Sequence, residues 1–139
     1  MEKLVVEKLI DTAIEQLKFS YAPYSNFKVG AALLAKNGTV YTGCNIENAA
    51  FTPTNCAERT AFFKAVSEGV HEFGAICIVG GKEGILTEYA APCGVCRQVM
   101  MEFCNPDTFQ VKLALDKAHY DVYTLRELFP QGFGPGNLA

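Results

Sequence analysis

Three cysteines near the starts of two predicted helices constrain the fold of this chain most strongly. Cys56 directly precedes one predicted helix, and Cys93 and Cys96 lie at the start of another. Free backbone N–H groups and the helix dipole stabilise a thiolate at a helix N-terminus. If two such helices on one sheet point their N-termini at one spot, three thiolates meet there, a set that binds zinc at about 2.3 Å each.

The number of ligands in this set is informative. Three protein ligands are typical of a catalytic zinc site, whose open position holds a water with a pKa lowered towards about 7. A structural zinc site usually needs a fourth ligand, and the chain has no second Cys-x-x-Cys motif. The two histidines, His71 and His119, stand alone in predicted loops. The cysteine pattern therefore favours a catalytic metal site.

Each motif by itself has a simpler interpretation. An isolated Cys-x-x-Cys is also typical of a dithiol redox pair, of half a structural zinc site or of two buried thiols. Cys56 alone would be a small buried hydrophobe, and Glu58 alone would be an acid that favours the first turn of a helix. The combination is far more specific, because a potential ligand lies two residues before a glutamate and Pro-Cys-x-x-Cys follows later in the chain.

The composition predicts one globular domain over residues 1–139. Apolar residues make up 50% and charged residues 19%, which excludes a disordered chain. The net charge of −3 argues against a nucleic-acid partner, because phosphate binding needs clustered Lys and Arg. No apolar run approaches the roughly 18 residues of a membrane span, and the charged start lacks a secretory signal. We therefore expect a cytoplasmic protein whose six cysteines stay reduced.

The spacing of apolar residues predicts the order of helices and strands. Predicted helices cover residues 6–17, 57–69 and 94–103, and predicted strands cover 29–35, 39–46, 75–79, 109–115 and 120–123. Asn55 is the predicted cap of the second helix and Gly69 its end, and Thr124 begins a last short helix with a capping box.

A hairpin followed by alternating strands and helices predicts the fold class. We expect an α/β fold with three α-β-α layers, in which a mixed five-stranded sheet has helices on both faces. The strand–helix–strand unit over residues 75–115 should be parallel and right-handed.

Several stretches of the chain resemble the zinc-dependent nucleoside and nucleotide deaminases. The segments 56–58 (Cys-Ala-Glu) and 92–96 (Pro-Cys-Gly-Val-Cys) resemble the deaminase zinc motif, with Cys in place of the usual His. The wider resemblance is to the small homotetrameric cytidine deaminases of the cytidine/deoxycytidylate deaminase family. It covers nearly the whole chain, through residues 21–27, 29–33, 43–49, 56–61 and 92–99.

This resemblance implies an enzyme with a stated reaction and assembly. Cytidine and deoxycytidine would be hydrolysed to uridine and deoxyuridine with release of ammonia, as in pyrimidine salvage. The family forms homotetramers with active sites at subunit interfaces, so we expect a homotetramer. The partners implied are a small nucleoside and further copies of the chain, with neither nucleic acid nor membrane.

The resemblance also implies the metal and the catalytic residue. Cys56, Cys93 and Cys96 match the ligands of one Zn²⁺ per chain, which would generate a hydroxide that attacks C4 of the pyrimidine. Glu58 matches the proton shuttle, which takes a proton from the zinc-bound water, protonates N3 and then helps ammonia leave. Arg59 is expected to donate to thiolate sulfur, because withdrawing charge from three thiolates restores the Lewis acidity of the metal.

Other positions match the substrate-binding residues of the family. Asn45 and Glu47 resemble the residues that hold the ribose hydroxyls, and side chains two apart in an extended segment point the same way. Phe27 resembles an aromatic that packs against the base, and the backbone N–H of Ala57 resembles one that points at pyrimidine O2. Taken alone, Asn45 and Glu47 would be the polar end of a strand, and Phe27 fits an ordinary core position equally well.

Two more aromatic residues and the remaining cysteines complete these expectations. Phe133 resembles a tail aromatic that the family contributes to the site of a neighbouring subunit, and Phe51 resembles one near the cleft between subunits. Cys77 and Cys104 match no ligand position and are predicted core thiols. Cys44 is predicted to pack in a strand near the site.

Three other functions share part of this pattern. A deaminase of the blasticidin S type would have the same zinc motif, but the segment 45–48 and Phe27 favour a nucleoside substrate. A dithiol redox protein would use the Cys-x-x-Cys pair without needing Cys56 or Glu58. A non-catalytic zinc module would have a fourth protein ligand in place of an exchangeable water. Editing of RNA or DNA bases fits poorly, because the chain lacks a basic patch with interleaved aromatics.

Overall fold

A mixed five-stranded sheet organises the structure, a computed structural model that describes residues 1–139. The strands are β1 (Phe27–Ala35), β2 (Val40–Cys44), β3 (Phe73–Lys82), β4 (Gln110–Asp116) and β5 (His119–Thr124). The α-helices are α1 (Lys3–Glu15), α2 (Ala57–Ser67), α3 (Gly94–Phe103) and α4 (Leu125–Leu128), and short 3₁₀ helices cover Gln16–Phe19 and Pro135–Asn137. None of these helices combines the length and the apolar character needed to cross a membrane.

The sheet has the strand order β2-β1-β3-β4-β5. β1 pairs antiparallel with β2 and with β3, β3 runs parallel to β4, and β4 pairs antiparallel with β5. A parallel pair needs a crossover connection, and α3 lies in the connection between β3 and β4. The predicted mixed sheet is confirmed. β3 is longer than predicted, because it pairs along the whole of β1 from Phe27 to Ala35.

Helices cover both faces of the sheet, as predicted. On one face α1 packs its buried Leu9 and Ile10 against Cys77 of β3. On the other face α2, α3 and α4 enclose the larger core, which includes Phe62 and Phe109. Alternate residues of a strand point to opposite faces, and both faces are apolar here because both are covered. The three-layer α-β-α architecture is therefore confirmed.

Two glycines fix the position and the length of α2. A Cβ at residue 43 would lie 2.2 Å from the carbonyl oxygen of Ala57, so only glycine allows the first turn of α2 to lie directly on β2. At the other end, Gly69 has φ +86° and its N–H donates to the carbonyl of Val66 over 3.0 Å. This geometry is a Schellman ending, and the predicted end of the helix at Gly69 is confirmed.

Three local predictions are wrong. The N-cap of α2 is Cys56, with φ −78° and ψ 156°, and not Asn55. Asn55 is bound through its backbone to Ile46, which leaves it one residue outside the helix. For the same reason β2 ends at Cys44 and not at Ile46, because Ile46 pairs outside the sheet. His119 lies at the start of β5 and not in a loop.

The cysteines outside the predicted metal site lie in three different environments. Cys77 is fully buried between the sheet and α1, as predicted. Cys104 packs against the larger core but is only partly buried, because it follows the last residue of α3. Burial raises the pKa of both thiols to about 12. Cys44 ends β2, and its Sγ lies 3.4 Å from the carbonyl of Phe19. All six cysteines are free.

Candidate active site

The N-termini of α2 and α3 converge at one end of the sheet. Phe27, the first residue of β1, pairs with Lys82 at the end of β3, and Gly30 pairs with Cys44 at the end of β2. The C-terminal ends of β2 and β3 therefore lie at the same end of the sheet, beside the N-terminal end of β1. The segments that leave these two strands lead into α2 and α3, which places both helix starts at that end.

The convergence brings three cysteine sulfur atoms within 4.8 Å of one another. Sγ of Cys93 lies 3.7 Å from Sγ of Cys56 and 3.5 Å from Sγ of Cys96. Thiolates bound tetrahedrally to zinc at about 2.3 Å have sulfur atoms about 3.8 Å apart. The spacing therefore fits a zinc ion with three thiolate ligands, and no other cluster of His, Cys, Asp or Glu in the structure could hold a metal ion.

No fourth side chain joins these three sulfur atoms. Cys96 is buried, Cys56 is partly buried and Cys93 is exposed, so the cluster has a closed side and an open side. An open coordination position is the feature that separates catalytic from structural zinc sites. The geometry therefore disfavours a non-catalytic zinc module, and the third sulfur atom disfavours a simple dithiol pair.

Arg59 lies against this cluster. Its Nη2 donates to Sγ of Cys56 over 3.3 Å, and its buried Nε has no hydrogen-bond partner. A hydrogen bond with Cys96, and further the guanidinium of Arg59, lower the pKa of Cys56, whereas the same bond raises the pKa of Cys96. The site therefore stabilises the thiolate of Cys56, the form in which cysteine binds a metal.

Glu58 is the second residue of α2 and is only 4% exposed. Burial of the carboxyl raises its pKa to about 7, because the charged form loses its hydration. A group with a pKa near 7 is suited both to accept and to donate a proton at neutral pH. Glu58 therefore has the properties of a general acid–base residue beside the cysteine cluster.

A cavity of about 190 Å³ opens beside the cluster. Its wall contains most of the residues that were predicted to act in the site: Phe27, Asn45, Glu47, Cys56, Ala57, Glu58 and Cys93. Sequence analysis missed Thr54, Ala90 and Ala91, which carry no motif of their own. Glu47 and Glu58 are the only carboxyl groups in the wall, which has no Lys, Arg or His.

Asn45 is held in one orientation by three hydrogen bonds. Its Oδ1 accepts from the backbone N–H of Val29 over 2.9 Å and from the hydroxyl of Ser20. Its Nδ2 donates to the carbonyl of Phe27 over 2.7 Å. An amide has two N–H donors, so one N–H of Asn45 remains for a ligand. No sequence signal pointed to Ser20 as the residue that fixes this amide.

Glu47 is held as a carboxylate. Its Oε1 accepts from the backbone N–H groups of Tyr24 and Ser25 over 2.9 and 3.1 Å, and its Oε2 accepts from the Ser25 hydroxyl. These bonds, first that of the Ser25 hydroxyl, lower the pKa of Glu47. Asn45 therefore offers a donor to a ligand and Glu47 offers an acceptor. Ser25 lies in the matched stretch 21–27, but no sequence signal predicted a role for it.

The predicted aromatic residues occupy different surroundings. Phe27 is 42% exposed and lines the cavity, which distinguishes it from a core phenylalanine. Phe51 is 91% exposed and lies in a shallow depression that shares Glu47 with the cavity. Phe133 takes no part in the cavity, and its carbonyl accepts from Nε2 of Gln98 over 2.8 Å. The single chain therefore brings Phe27 to the site but not Phe133.

This fold and site define a class of zinc-dependent deaminases. Residues 4–112 match the family described as the cytidine and deoxycytidylate deaminase zinc-binding region. The chain belongs to this family, and it is a zinc-dependent hydrolase that acts on C–N bonds. The predicted family, enzyme class and zinc cofactor are confirmed.

Full-length relatives and a solved structure agree with this assignment. The chain is 50% identical over 134 residues to a cytidine deaminase of Sporosarcina psychrophila, covering 96% of this chain and 95% of the relative. It is 47% identical over 129 residues to one of Halalkalibacterium halodurans, covering 91% and 92%. A crystal structure of cytidine deaminase from Burkholderia pseudomallei is similar with a TM-score of 0.82 and 45% identity, covering 91% and 97%.

Proposed function

We propose that this enzyme hydrolyses cytidine and deoxycytidine to uridine and deoxyuridine with release of ammonia. The observation that carries the proposal is the buried Glu58 beside three converging thiolates, in a cavity that also holds Asn45 and Glu47. The relatives in Sporosarcina psychrophila and Halalkalibacterium halodurans are cytidine deaminases and align over nearly their full lengths. In the cell, this reaction would serve pyrimidine salvage, and the sequence predicts a cytoplasmic location.

The residues around the cluster divide the chemistry between them. Zinc held by Cys56, Cys93 and Cys96 would supply the Lewis acidity that makes water a nucleophile at neutral pH. Arg59 would withdraw negative charge from the Cys56 thiolate through the 3.3 Å hydrogen bond. Glu58 would take a proton from the attacking water, deliver it to pyrimidine N3 and pass a second proton to the departing amine.

Two groups at the start of the cavity would orient the base. Ala57 is the first residue of α2, so its backbone N–H has no partner within the helix and is free to donate to pyrimidine O2. Phe27 is half-exposed at the cavity wall and offers its ring to the pyrimidine. Orientation of this kind would hold C4 on the side of the three cysteines and N3 near Glu58.

Asn45 and Glu47 together would bind one hydroxyl group of the sugar. A sugar hydroxyl both accepts and donates, so it would accept from the free N–H of Asn45 and donate to the carboxylate of Glu47. Ribose and deoxyribose share a hydroxyl that satisfies this pair, so both cytidine and deoxycytidine would bind. This donor–acceptor pair also favours a nucleoside over a substrate of the blasticidin S type.

The charge of the cavity favours an unphosphorylated substrate. Its wall has two carboxyl groups and no Lys, Arg or His. A phosphate group needs positive partners, and two acidic side chains would repel it. We therefore propose the nucleosides and not their 5′-phosphates as substrates.

The first experiment is ammonia release from cytidine, deoxycytidine and deoxycytidine 5′-phosphate, with bound zinc counted in the same sample. We expect about one zinc per chain, release from both nucleosides, and little release from the phosphate. Zinc without release from either nucleoside would contradict the proposed reaction. Folded protein with neither zinc nor release would instead favour the dithiol alternative.

A second experiment tests the hydroxyl pair. Asn45→Ala should slow the reaction of cytidine more than that of 2′,3′-dideoxycytidine, because the analogue lacks the 2′- and 3′-hydroxyls, while the loss of the bonds from Asn45 to Val29 and Phe27 affects both substrates. Asn37→Ala, in the turn between β1 and β2, is the matched control and should change neither rate. Equal slowing on both substrates by Asn45→Ala would contradict the ribose role.

We further propose that the enzyme is a homotetramer with its sites at subunit interfaces. Phe51 supports this, because it is 91% exposed and lines the same depression beside the cavity as the exposed Tyr24, so the two aromatics form an apolar patch that a neighbouring copy would cover. Phe133 would be the tail aromatic that reaches a neighbouring site. Sedimentation equilibrium should give four copies, and Phe51→Ala should weaken the assembly and the activity together. A fully active monomer would contradict this assembly.

A further inference from the structure

We propose that Arg97 is a positioning residue for the metal ligand Cys93, because it holds the peptide groups on both sides of that ligand. The inference concerns the zinc site alone and does not depend on the identity of the substrate. It rests on three hydrogen bonds that connect α3, the segment before it and the end of α4.

Two of these bonds flank the ligand directly. The backbone N–H of Arg97 donates to the carbonyl of Cys93 over 3.0 Å, and its Nε donates to the carbonyl of Pro92 over 2.7 Å. The Pro92 carbonyl belongs to the peptide group that ends at the Cys93 nitrogen, and the Cys93 carbonyl belongs to the next one. The bond to the Cys93 carbonyl is an ordinary helix bond, so the contribution of the Arg97 side chain here is its hold on the Pro92 peptide group. Because peptide groups are planar, fixing both of them fixes the direction of the Cα–Cβ bond of Cys93 between them.

The third bond anchors the guanidinium to another element. Nη1 of Arg97 donates to the carbonyl of Leu128, the last residue of α4, over 2.5 Å. α4 is held in place by its fully buried Leu125 and by a capping box at Thr124. The guanidinium therefore ties the segment before Cys93 to an element that is packed into the core.

The local sequence explains why a side chain is needed here. Pro92 has no backbone N–H, so its carbonyl is the only backbone group through which the residue before the ligand can be held. Cys93 is also the exposed member of the three ligands. A cation near a helix N-terminus is disfavoured by the helix dipole, so an arginine at this place needs compensating partners. The carbonyls of Pro92 and Leu128 are those partners.

The geometry also explains the choice of arginine. A guanidinium presents several N–H donors in a rigid plane, so Nε and Nη1 reach two carbonyls at once. The ammonium group of lysine is a point charge on a flexible stem and would hold the same two carbonyls less rigidly. Arg97→Lys should therefore retain part of the effect.

The test is the rate at which the zinc-loaded protein releases its metal to excess 4-(2-pyridylazo)resorcinol. Outer partners of metal ligands typically contribute about 10- to 100-fold in metal affinity, so Arg97→Gln should release zinc faster by a factor in that range. Arg97→Lys should fall between Arg97→Gln and the parent. Arg126→Gln is the matched control, because Arg126 pairs with Asp107 on the surface, and it should release zinc at the parent rate.

The cobalt-loaded protein gives a second readout that a loss of stability alone would not change. The thiolate-to-cobalt absorption band should shift in Arg97→Gln and stay in place in Arg126→Gln, because only the first change frees the Cys93 side chain. Equal zinc release and equal spectra for these two variants would overturn the proposal. If Arg97→Gln does not fold, Arg97→Lys is tested in its place. Zinc release and a cobalt spectrum like those of the parent in Arg97→Lys would also overturn the proposal.

Discussion

The two helices that carry the metal ligands begin with the same local structure but place different side chains beside the metal site. Each has a cysteine as its N-cap, Cys56 in α2 and Cys93 in α3, with extended backbone at the cap. The second helical residue is Glu58 in α2, which is 4% exposed, and Val95 in α3, which is 57% exposed. The same local structure therefore places a buried acid–base group in α2 and an exposed residue in α3. Burial is what raises the pKa of Glu58.

The two helix starts are also held by different means. Before α2, the backbone N–H and carbonyl of Asn55 both bond to Ile46 over 2.9 Å. Before α3, proline blocks such a backbone bridge, and the side chain of Arg97 replaces it. One metal site can therefore combine a ligand whose preceding segment is held by backbone pairing with a ligand whose preceding segment is held by a side chain.

The largest expected effect comes from the buried residue of α2. Glu58→Gln keeps the size of the side chain but removes its proton transfer, so turnover should fall by about 10²- to 10⁴-fold while zinc stays bound. Val95→Gln changes the equivalent position of α3 and should leave turnover and zinc content unchanged. Steady-state rates with zinc analysis test both, and near-parent turnover in Glu58→Gln would refute the proton-shuttle role.

A smaller effect should follow from the charge beside α2. Arg59→Gln removes the 3.3 Å hydrogen bond to Cys56, so zinc affinity should drop by about 10- to 100-fold without unfolding the protein. Competition with a zinc chelator measures the affinity, and circular dichroism checks the fold. Arg126→Gln again provides the matched loss of one guanidinium. Unchanged affinity and rate in Arg59→Gln would remove this residue from the metal site.

Removal of the metal should raise the amide exchange rate at the start of α3 several-fold more than at the start of α2. Without zinc, the backbone bridge between Asn55 and Ile46 still holds the segment before α2, whereas the Pro92 carbonyl before α3 is held only by the side chain of Arg97. Hydrogen exchange measured by mass spectrometry should therefore accelerate more over residues 97–100 than over 60–63, which are the first amides of each helix with partners inside the helix. Equal acceleration in both segments would show that the metal, and not the bridge, holds α2.

The smallest effect should come from the element that anchors Arg97. Thr124→Ala removes the capping box of α4 and should lower the free energy of unfolding by about 1 kcal/mol. Because Leu125 stays buried, the Leu128 carbonyl should remain in place, and zinc release should stay at the parent rate. Denaturant unfolding measures the first quantity and chelator competition the second. Faster zinc release in Thr124→Ala would show that the cap itself supports the metal site.

Much of the architecture was predictable from local patterns. The apolar spacing of α1, the glycine at the end of α2 and the capping box at Thr124 each act within a few residues, and all three predictions agree with the structure. Local patterns predict the wrong boundary where a distant segment of the chain binds the same backbone groups. Asn55 looks like a helix cap in the sequence, but its backbone is bound to Ile46, so Cys56 takes the cap position.

The sequence by itself determined that three cysteines and Glu58 stand at two helix starts, because cap positions and helix spacing are local properties of the chain. Only the tertiary structure decided how these groups are supported. Ser20 holds Asn45 across 25 residues, Ser25 holds Glu47 across 22, and Arg97 reaches Leu128 across 31. Such contacts depend on how strands align and helices pack, and a single sequence carries no local signal for that alignment.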